Sequence, residues 1–124
     1  MAKISEQNRT IGSLKKRADF LRVQQEGKKW VTQSFIIRQL DQPKDQLCET
    51  DIRFGLTVTK RLFKNATDRN RVKRRLRAMA QDILLEVGQD KTDYVLIGRT
   101  ETLTRDFSDL QKDLKWALKR LSQS

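Results

Sequence analysis

One segment, residues 66–88, dictates most of what this chain can fold into. Val72, Leu76, Met79, Ala80, Ile83 and Val87 recur there at helical spacing. At about 100° per residue they share one stripe, and Asn70, Arg71, Arg74 and Arg77 project from the opposite side. Asp68 or Thr67 is placed to cap the N-terminus, and Gly88 stands where the helix would stop. A helix that is apolar on one side and guanidinium on the other buries the first on a sheet and offers the second to a polyanion.

Charge supports the same reading. From Lys60 to Arg77 there are nine basic side chains and one acid, Asp68, a local balance of +8 in a chain whose total is +11. A block this concentrated is the footprint of nucleic-acid binding. A merely solvated surface mixes signs and favours Lys, whereas six of these nine are Arg, whose planar fork suits phosphates and base edges.

The 124 residues fit one domain, 1–124, with residues 1–12 expected as a loose or extended arm. No apolar run approaches the roughly 18 residues of a membrane span, and Cys48 is the sole cysteine. A cytoplasmic chain without membrane contact or internal disulfide is expected. Histidine is absent, which removes His bases and His-containing zinc sites. The carboxylates are scattered, with Asp41, Asp45, Glu49 and Asp51 around a connection and Asp106, Asp109 and Asp113 around the last helix. Hydrolysis by this chain's own side chains is not expected, nor is any intrinsic metal or cofactor.

Taken in order, Ser13 begins a helix ending near Gly27, with Leu14, Ala18, Leu21 and Gln25 inward. Phe20 falls off that stripe beside Lys16, Arg17 and Gln24, either packed by another element or exposed as a stacking platform. Trp30–Leu40 reads as strand, with Val31, Phe35 and Ile37 on one face and Ile36 and Arg38 on the other; Lys28–Thr32 is a candidate for a separate short strand. Asp41–Thr50 has the look of a long hairpin loop. Ile52, Phe54, Leu56 and Val58 alternate with polar or small residues, and Gly55 marks a bulge or a close approach. Tyr94–Ile97 fits a buried strand, parallel to the one at 51–59. A last helix, capped by Thr104 or Ser108, turns Phe107, Leu110, Leu114, Ala117, Leu118 and Leu121 inward. Its Lys112, Lys115, Lys119 and Arg120 face mostly outward, and Trp116 lies off the stripe, a site for burial by the N-terminal arm or for RNA contact. This pattern predicts an α/β sandwich of one sheet with helices packed on it.

Arg53–Arg61, Asn65–Ala66 and Arg69–Arg77 together resemble the protein component of bacterial ribonuclease P, as do Leu14–Phe20 upstream and Asp93–Arg99 downstream. The resemblance covers about Ile11 to Leu121. It implies an α/β (α+β) fold of αβββαβα topology with one central sheet and a left-handed βαβ crossover. It also implies a subunit, one copy in the holoenzyme, of a ribonucleoprotein endoribonuclease that removes the 5′ leader from precursor tRNA. The partners would be the catalytic RNA and precursor tRNA, with Mg²⁺ bound mainly by the RNA, which performs the hydrolysis. Carried over residue by residue, Lys60, Arg61, Arg69, Asn70, Arg71, Lys73, Arg74 and Arg77 would meet the catalytic RNA. Arg17, Phe20, Gln24, Ile36 and Arg38 would line the cleft that holds the leader. Gln24 stands where many members have a second aromatic, and Arg38 where some have Tyr.

Two other classes share the charge pattern. One is a general or ribosomal RNA-binding protein with no role in tRNA processing. The other is a DNA-binding architectural protein, for which neither a helix-turn-helix nor a heptad pattern is present.

Overall fold

Strand parity assigns the sheet residues to two faces, and the two faces are covered unequally. A computed structural model describes residues 9–44 and 50–123. Its elements run β1 (Ile11–Ser13), α1 (Arg17–Glu26), β2 (Lys28–Val31), β3 (Phe35–Asp41), β4 (Ile52–Thr57), α2 (Ala66–Val87), β5 (Thr92–Gly98), α3 (Thr100–Thr104) and α4 (Phe107–Ser122). The five strands form one mixed sheet in the order β1-β4-β5-β3-β2. β4 and β5 are parallel neighbours, as the strand–helix–strand pattern predicts, while β3 is antiparallel to β5 and β2 to β3. The αβββαβα order holds, with two additions: the strand β1 before the first helix and the short helix α3 before the last.

Phe35, Ile37, Ile52, Phe54, Tyr94 and Leu96 occupy one face, where they meet Val72, Leu76, Met79, Ala80, Ile83 and Leu84 of α2 and Leu110, Leu114, Ala117, Leu118 and Leu121 of α4. This is the main core. Among the described residues the other face carries only α1, over a small cluster of Leu14, Val23 and Val95 flanked by Phe20, Leu40 and Ile97.

Ionic contacts decide how α1 sits on that second face. Asp93, fully buried, accepts Arg53 Nε at 2.8 Å, Arg53 Nη2 at 2.6 Å and Arg22 Nη2 at 2.7 Å. Arg53 also lies 3.6 Å from Asp19, and Arg22 donates to the Asp41 carbonyl at 3.0 Å. Asp19 and Arg22 thereby draw a different side of the helix onto the sheet than apolar spacing alone suggests. Val23 is buried, Phe20 is half-buried, and Leu21, Ala18 and Gln25 of the expected inward stripe are exposed. Leu14 is buried, but as the tail of β1, its N–H donating to the Phe54 carbonyl at 2.9 Å.

Other expectations are corrected in the same way. Residues 9–12, assigned to a loose arm, are held: Ile11–Ser13 pairs with Ile52–Phe54, and Arg9 binds the Leu84 and Gly88 carbonyls at the end of α2. Residues 1–8 lie outside the described residues. The segment 41–50 is no hairpin, since β5 stands between β3 and β4; residues 45–49, with Cys48, are outside the described set. Val31 is exposed and pairs with Ile36 on the opposite face from Phe35. In α2 the core stripe holds, except that Leu84 is buried and Val87 is exposed. Asn65, not Thr67 or Asp68, takes the N-cap position, which leaves Asp68 in the first turn, where a carboxylate is favoured by the helix dipole. Asp106 precedes α4 in place of Thr104 or Ser108.

Two measurements check this packing. Asp93→Ala leaves two arginines facing an empty position, and breaking such a pair costs about 3–5 kcal/mol; chemical denaturation reads the loss. Tyr94 is the sole tyrosine, and burial pushes its phenol from 10.0 up to about 12 against a bond from the Gln89 N–H. The neutral form is therefore favoured in the fold. Stability falls as pH rises from about 10, where the unfolded phenol ionises, to about 12. Ultraviolet titration of the native protein shows phenolate only near the upper value.

Candidate nucleic-acid interface

The basic block divides once its hydrogen bonds are followed. Asn70, Arg71, Arg74 and Arg77 are all exposed on the solvent side of α2. At about 1.5 Å per residue, Asn70 to Arg77 spans about 10 Å of helix. Lys60, Arg61 and Lys64 are exposed on the turn that leads into α2, which is pinned by buried Phe63. Arg69 is half-buried, and its Nη1 donates to the Phe63 carbonyl at 2.8 Å and the Lys64 carbonyl at 3.1 Å. It shapes that turn while remaining at the edge of the basic surface. Arg75 belongs elsewhere. Its Nε donates to the Thr102 carbonyl at 2.9 Å and its Nη2 to the Arg105 carbonyl, so it ties α2 to the end of α3.

The second surface is the thinly covered face of the sheet. Pairing register sets its rows: Gly55, Val95 and Arg38 lie side by side, and Thr57, Ile97 and Ile36 form the next row. The Phe20 ring lies on Gly55 so closely that a Cβ there would come within 2.4 Å of two ring atoms. Only glycine permits that approach; any side chain would push the ring away. Beside the ring opens a cleft of about 230 Å³ lined by Ser13, Leu14, Phe20, Phe54, Gly55, Leu56, Lys73 and Arg77.

The structure thus brings Phe20 to Lys73 and Arg77, two residues assigned to a different contact. Ile36 and Arg38 share its sheet face, and Arg38 reaches the Gly27 carbonyl only at 3.5 Å, long for a strong bond. Arg17 is exposed and Gln24 half-buried on α1, and neither lines the cleft beside Phe20. Sequence reading marked Gly55 as a bulge or a close approach, of which the structure shows the close approach, but did not place Thr57 and Ile97 on this surface. Parity within Tyr94–Ile97 was the available signal, hidden because a continuous apolar run reads as buried on both faces.

Among the described residues there is no group of three or more His, Cys, Asp or Glu that could hold a metal ion. Four of the carboxylates face cations: Asp19 and Asp93 the arginines above, Asp113 Arg105 at 2.7 Å, and Asp51 Lys91 at 3.6 Å. Held by these cations, the four carboxylates do not fit a divalent-cation site. No described helix is long and apolar enough to cross a membrane.

A family model for ribonuclease P matches residues 10–122, nearly all of the chain. The chain belongs to the ribonuclease P protein family. A ribonuclease P protein component from Paramagnetospirillum magneticum is 42% identical over 111 residues, covering 90% of this chain and 83% of the relative. The protein component from Bacillus pumilus is 34% identical over 102 residues, 82% of this chain and 81% of its own length. Among solved structures, the RNase P protein from Thermotoga maritima superposes with a TM-score of 0.70 at 27% identity, covering 87% of this chain and 96% of that one. The Staphylococcus aureus RNase P protein gives 0.68 at 28% identity, over 87% and 93% of the two chains.

Within this family fold the arginines separate by experiment. Arg75→Ala removes the tie to α3 and lowers stability by about 1.5–3 kcal/mol, the range for hydrogen bonds to a charged group. Arg74→Ala, with an exposed side chain, leaves stability within about 0.5 kcal/mol. Thermal and urea unfolding of the two variants side by side checks the division.

Proposed function

We propose that the chain acts as the protein subunit of ribonuclease P, a ribonucleoprotein endoribonuclease that removes the 5′ leader from precursor tRNA. In this reading the RNA subunit, with its bound Mg²⁺, supplies the hydrolysis, and the protein binds and orients. Asn70, Arg71, Arg74 and Arg77, flanked by Lys60, Arg61, Arg69 and Lys73, meet the RNA subunit through its phosphates. The leader lies along the thinly covered face of the sheet beside α1, with Phe20 as its stacking ring. Ile36 and Arg38 extend the floor, and Arg17 and Gln24 stand on the helix above. A single observation carries the assignment: the cleft beside Phe20 has Lys73 and Arg77 on its wall. An aromatic face and two cations in one cleft fit a single strand, whose bases stack while its phosphates are neutralised. The helix that carries the basic surface packs on the same sheet whose other face carries the cleft, which supports a single functional domain.

The chemistry of each side chain follows. Arg71, Arg74 and Arg77 each present a planar fork that pairs two phosphate oxygens, which an ammonium cannot do. Phe20 is held against Gly55 before any ligand arrives, so stacking a base costs little ordering of the ring. Exclusion of water is modest in a cleft this open, consistent with a binding role and not with chemistry at this surface.

Competition binding of leader-bearing and leaderless tRNA to the reconstituted holoenzyme tests the assignment. Phe20→Ala weakens the leader-bearing form selectively, by about 1–3 kcal/mol for one lost stack. Gly55→Ala retains the ring but displaces it, and gives a loss of the same selectivity. Arg74→Ala weakens assembly with the RNA subunit whichever tRNA is present, and makes its salt dependence shallower. Equal losses for both tRNAs in the Phe20 and Gly55 variants would overturn the cleft assignment and leave the basic-helix assignment standing.

A further inference from the structure

The chain's two tryptophans are joined by one arginine at the β2 edge of the sheet, far from the cleft. Arg120 Cζ lies 5.5 Å from the ring centroid of Trp30 and 5.5 Å from that of Trp116, inside the roughly 6 Å reach of a cation–π contact. Trp30 is half-buried and packs on the main core. Trp116 leaves 54% of its surface in water. An isolated exposed Trp needs no explanation, but this one is tied through a guanidinium to a ring that the core holds in place. Its neighbours on the same face of α4 are cationic. Lys112 lies four residues before it, Lys119 three after and Arg120 four after, all exposed. Asp113, the acid three residues before it, is engaged by Arg105 at 2.7 Å and Ser34 at 2.6 Å. Lys115 stands 4.0 Å from Glu86.

A large exposed π-face, backed by a guanidinium and set among cations, has one well-matched occupant, a base carrying its own phosphate. A second copy of the chain fits poorly. The nearby free edge is β2, and its Lys28 and Lys29 would meet the same lysines in a symmetric pairing, a charge arrangement that blocks edge-to-edge association. The substrate leader fits poorly too. Trp116 belongs to the helix layer on one face of the sheet, whereas Phe20 lies on Gly55 on the other. β4 and β2 are three strand spacings apart, about 14 Å.

We propose that Trp116, fixed by Arg120 against Trp30, is a stacking platform for an unpaired nucleobase of the RNA subunit, with Lys112 and Lys119 on the adjoining phosphates. This rests on the reading of the chain as the protein subunit of a ribonucleoprotein and adds a contact at the sheet edge remote from the cleft.

Emission from a Trp30→Phe chain reads the site directly, because Trp116 is then its only tryptophan. Titration with the RNA subunit quenches that emission, and a single-stranded oligoadenylate quenches it where an RNA duplex does not. A Trp116→Phe chain, which retains Trp30, loses the quenching. Trp116→Ala weakens the RNA subunit about five- to a hundredfold, as expected for one base–aromatic stack, and by the same factor with leader-bearing and leaderless tRNA. Unchanged affinity and unquenched emission overturn the proposal, as does equal quenching by duplex. An effect confined to leader-bearing tRNA assigns the ring to the substrate instead and also overturns it. So does an RNA-independent dimer in sedimentation that Trp116→Ala abolishes. Binding that stays sensitive to Arg74→Ala while Trp116 is silent overturns this inference alone; a wild-type chain that does not bind the RNA subunit overturns the functional reading with it.

Discussion

A single buried carboxylate, Asp93, determines how the lightly covered side of this molecule is built. It lies in the sheet with no exposed surface, and its two oxygens take three bonds from Arg53 on the neighbouring strand and Arg22 on α1. An isolated charge there would be prohibitively costly, and a pair of this kind stabilises mainly relative to its broken form. Its structural effect is orientation. Three apolar side chains, Leu14, Val23 and Val95, would not by themselves fix the rotation of a ten-residue helix. The ion pairs do, and the position of Phe20 over Gly55 follows from that rotation.

The main core is built on the opposite principle. α2 and α4 lie on the sheet through continuous apolar stripes, and the charged residues of those helices are left to solvent or to local ties. Arginines that look equivalent in a basic run therefore have separate duties. Arg75 closes a carbonyl-rich helix end, Arg69 shapes the entering turn, and Arg71, Arg74 and Arg77 stay exposed to solvent. Arg105 belongs with the structural set: the Asp113 carboxylate hydrogen-bonded to it pushes its pKa above the ordinary guanidinium value.

Much of this was legible in the chain itself. Helical spacing picked out the buried stripe of α2 apart from Leu84 and Val87, and alternation picked out β4. The parallel pairing of β4 and β5 followed from the strand–helix–strand pattern, and the motif between Arg53 and Arg77 led to the family. The errors share a cause, which is that spacing weighs only apolar residues. It turned α1 toward Leu21 because it could not see Asp19 and Arg22 reaching partners at positions 53 and 93. It read residues 41–50 as a hairpin because it could not see that β5, which comes later in the chain, inserts between β3 and β4. It left residues 9–12 loose because a three-residue strand is too short to have a period. A cleft does open beside Phe20, but its wall of Lys73 and Arg77 depends on how α2 lies across the sheet, which no local pattern records.

That wall has a consequence for how length is measured. Arg71 and Arg74 on the outer side of α2, Lys73 on its flank and Arg77 between the two belong to one uninterrupted helix, so the distance between the outer stripe and the cleft wall is set by helix pitch and has no hinge. A strand seated against Phe20 and a large RNA seated on the outer stripe would be held at a fixed offset, within about one and a half turns of α2. On the proposed reading the helix would act as a gauge block, keeping one contact at a constant offset from the other.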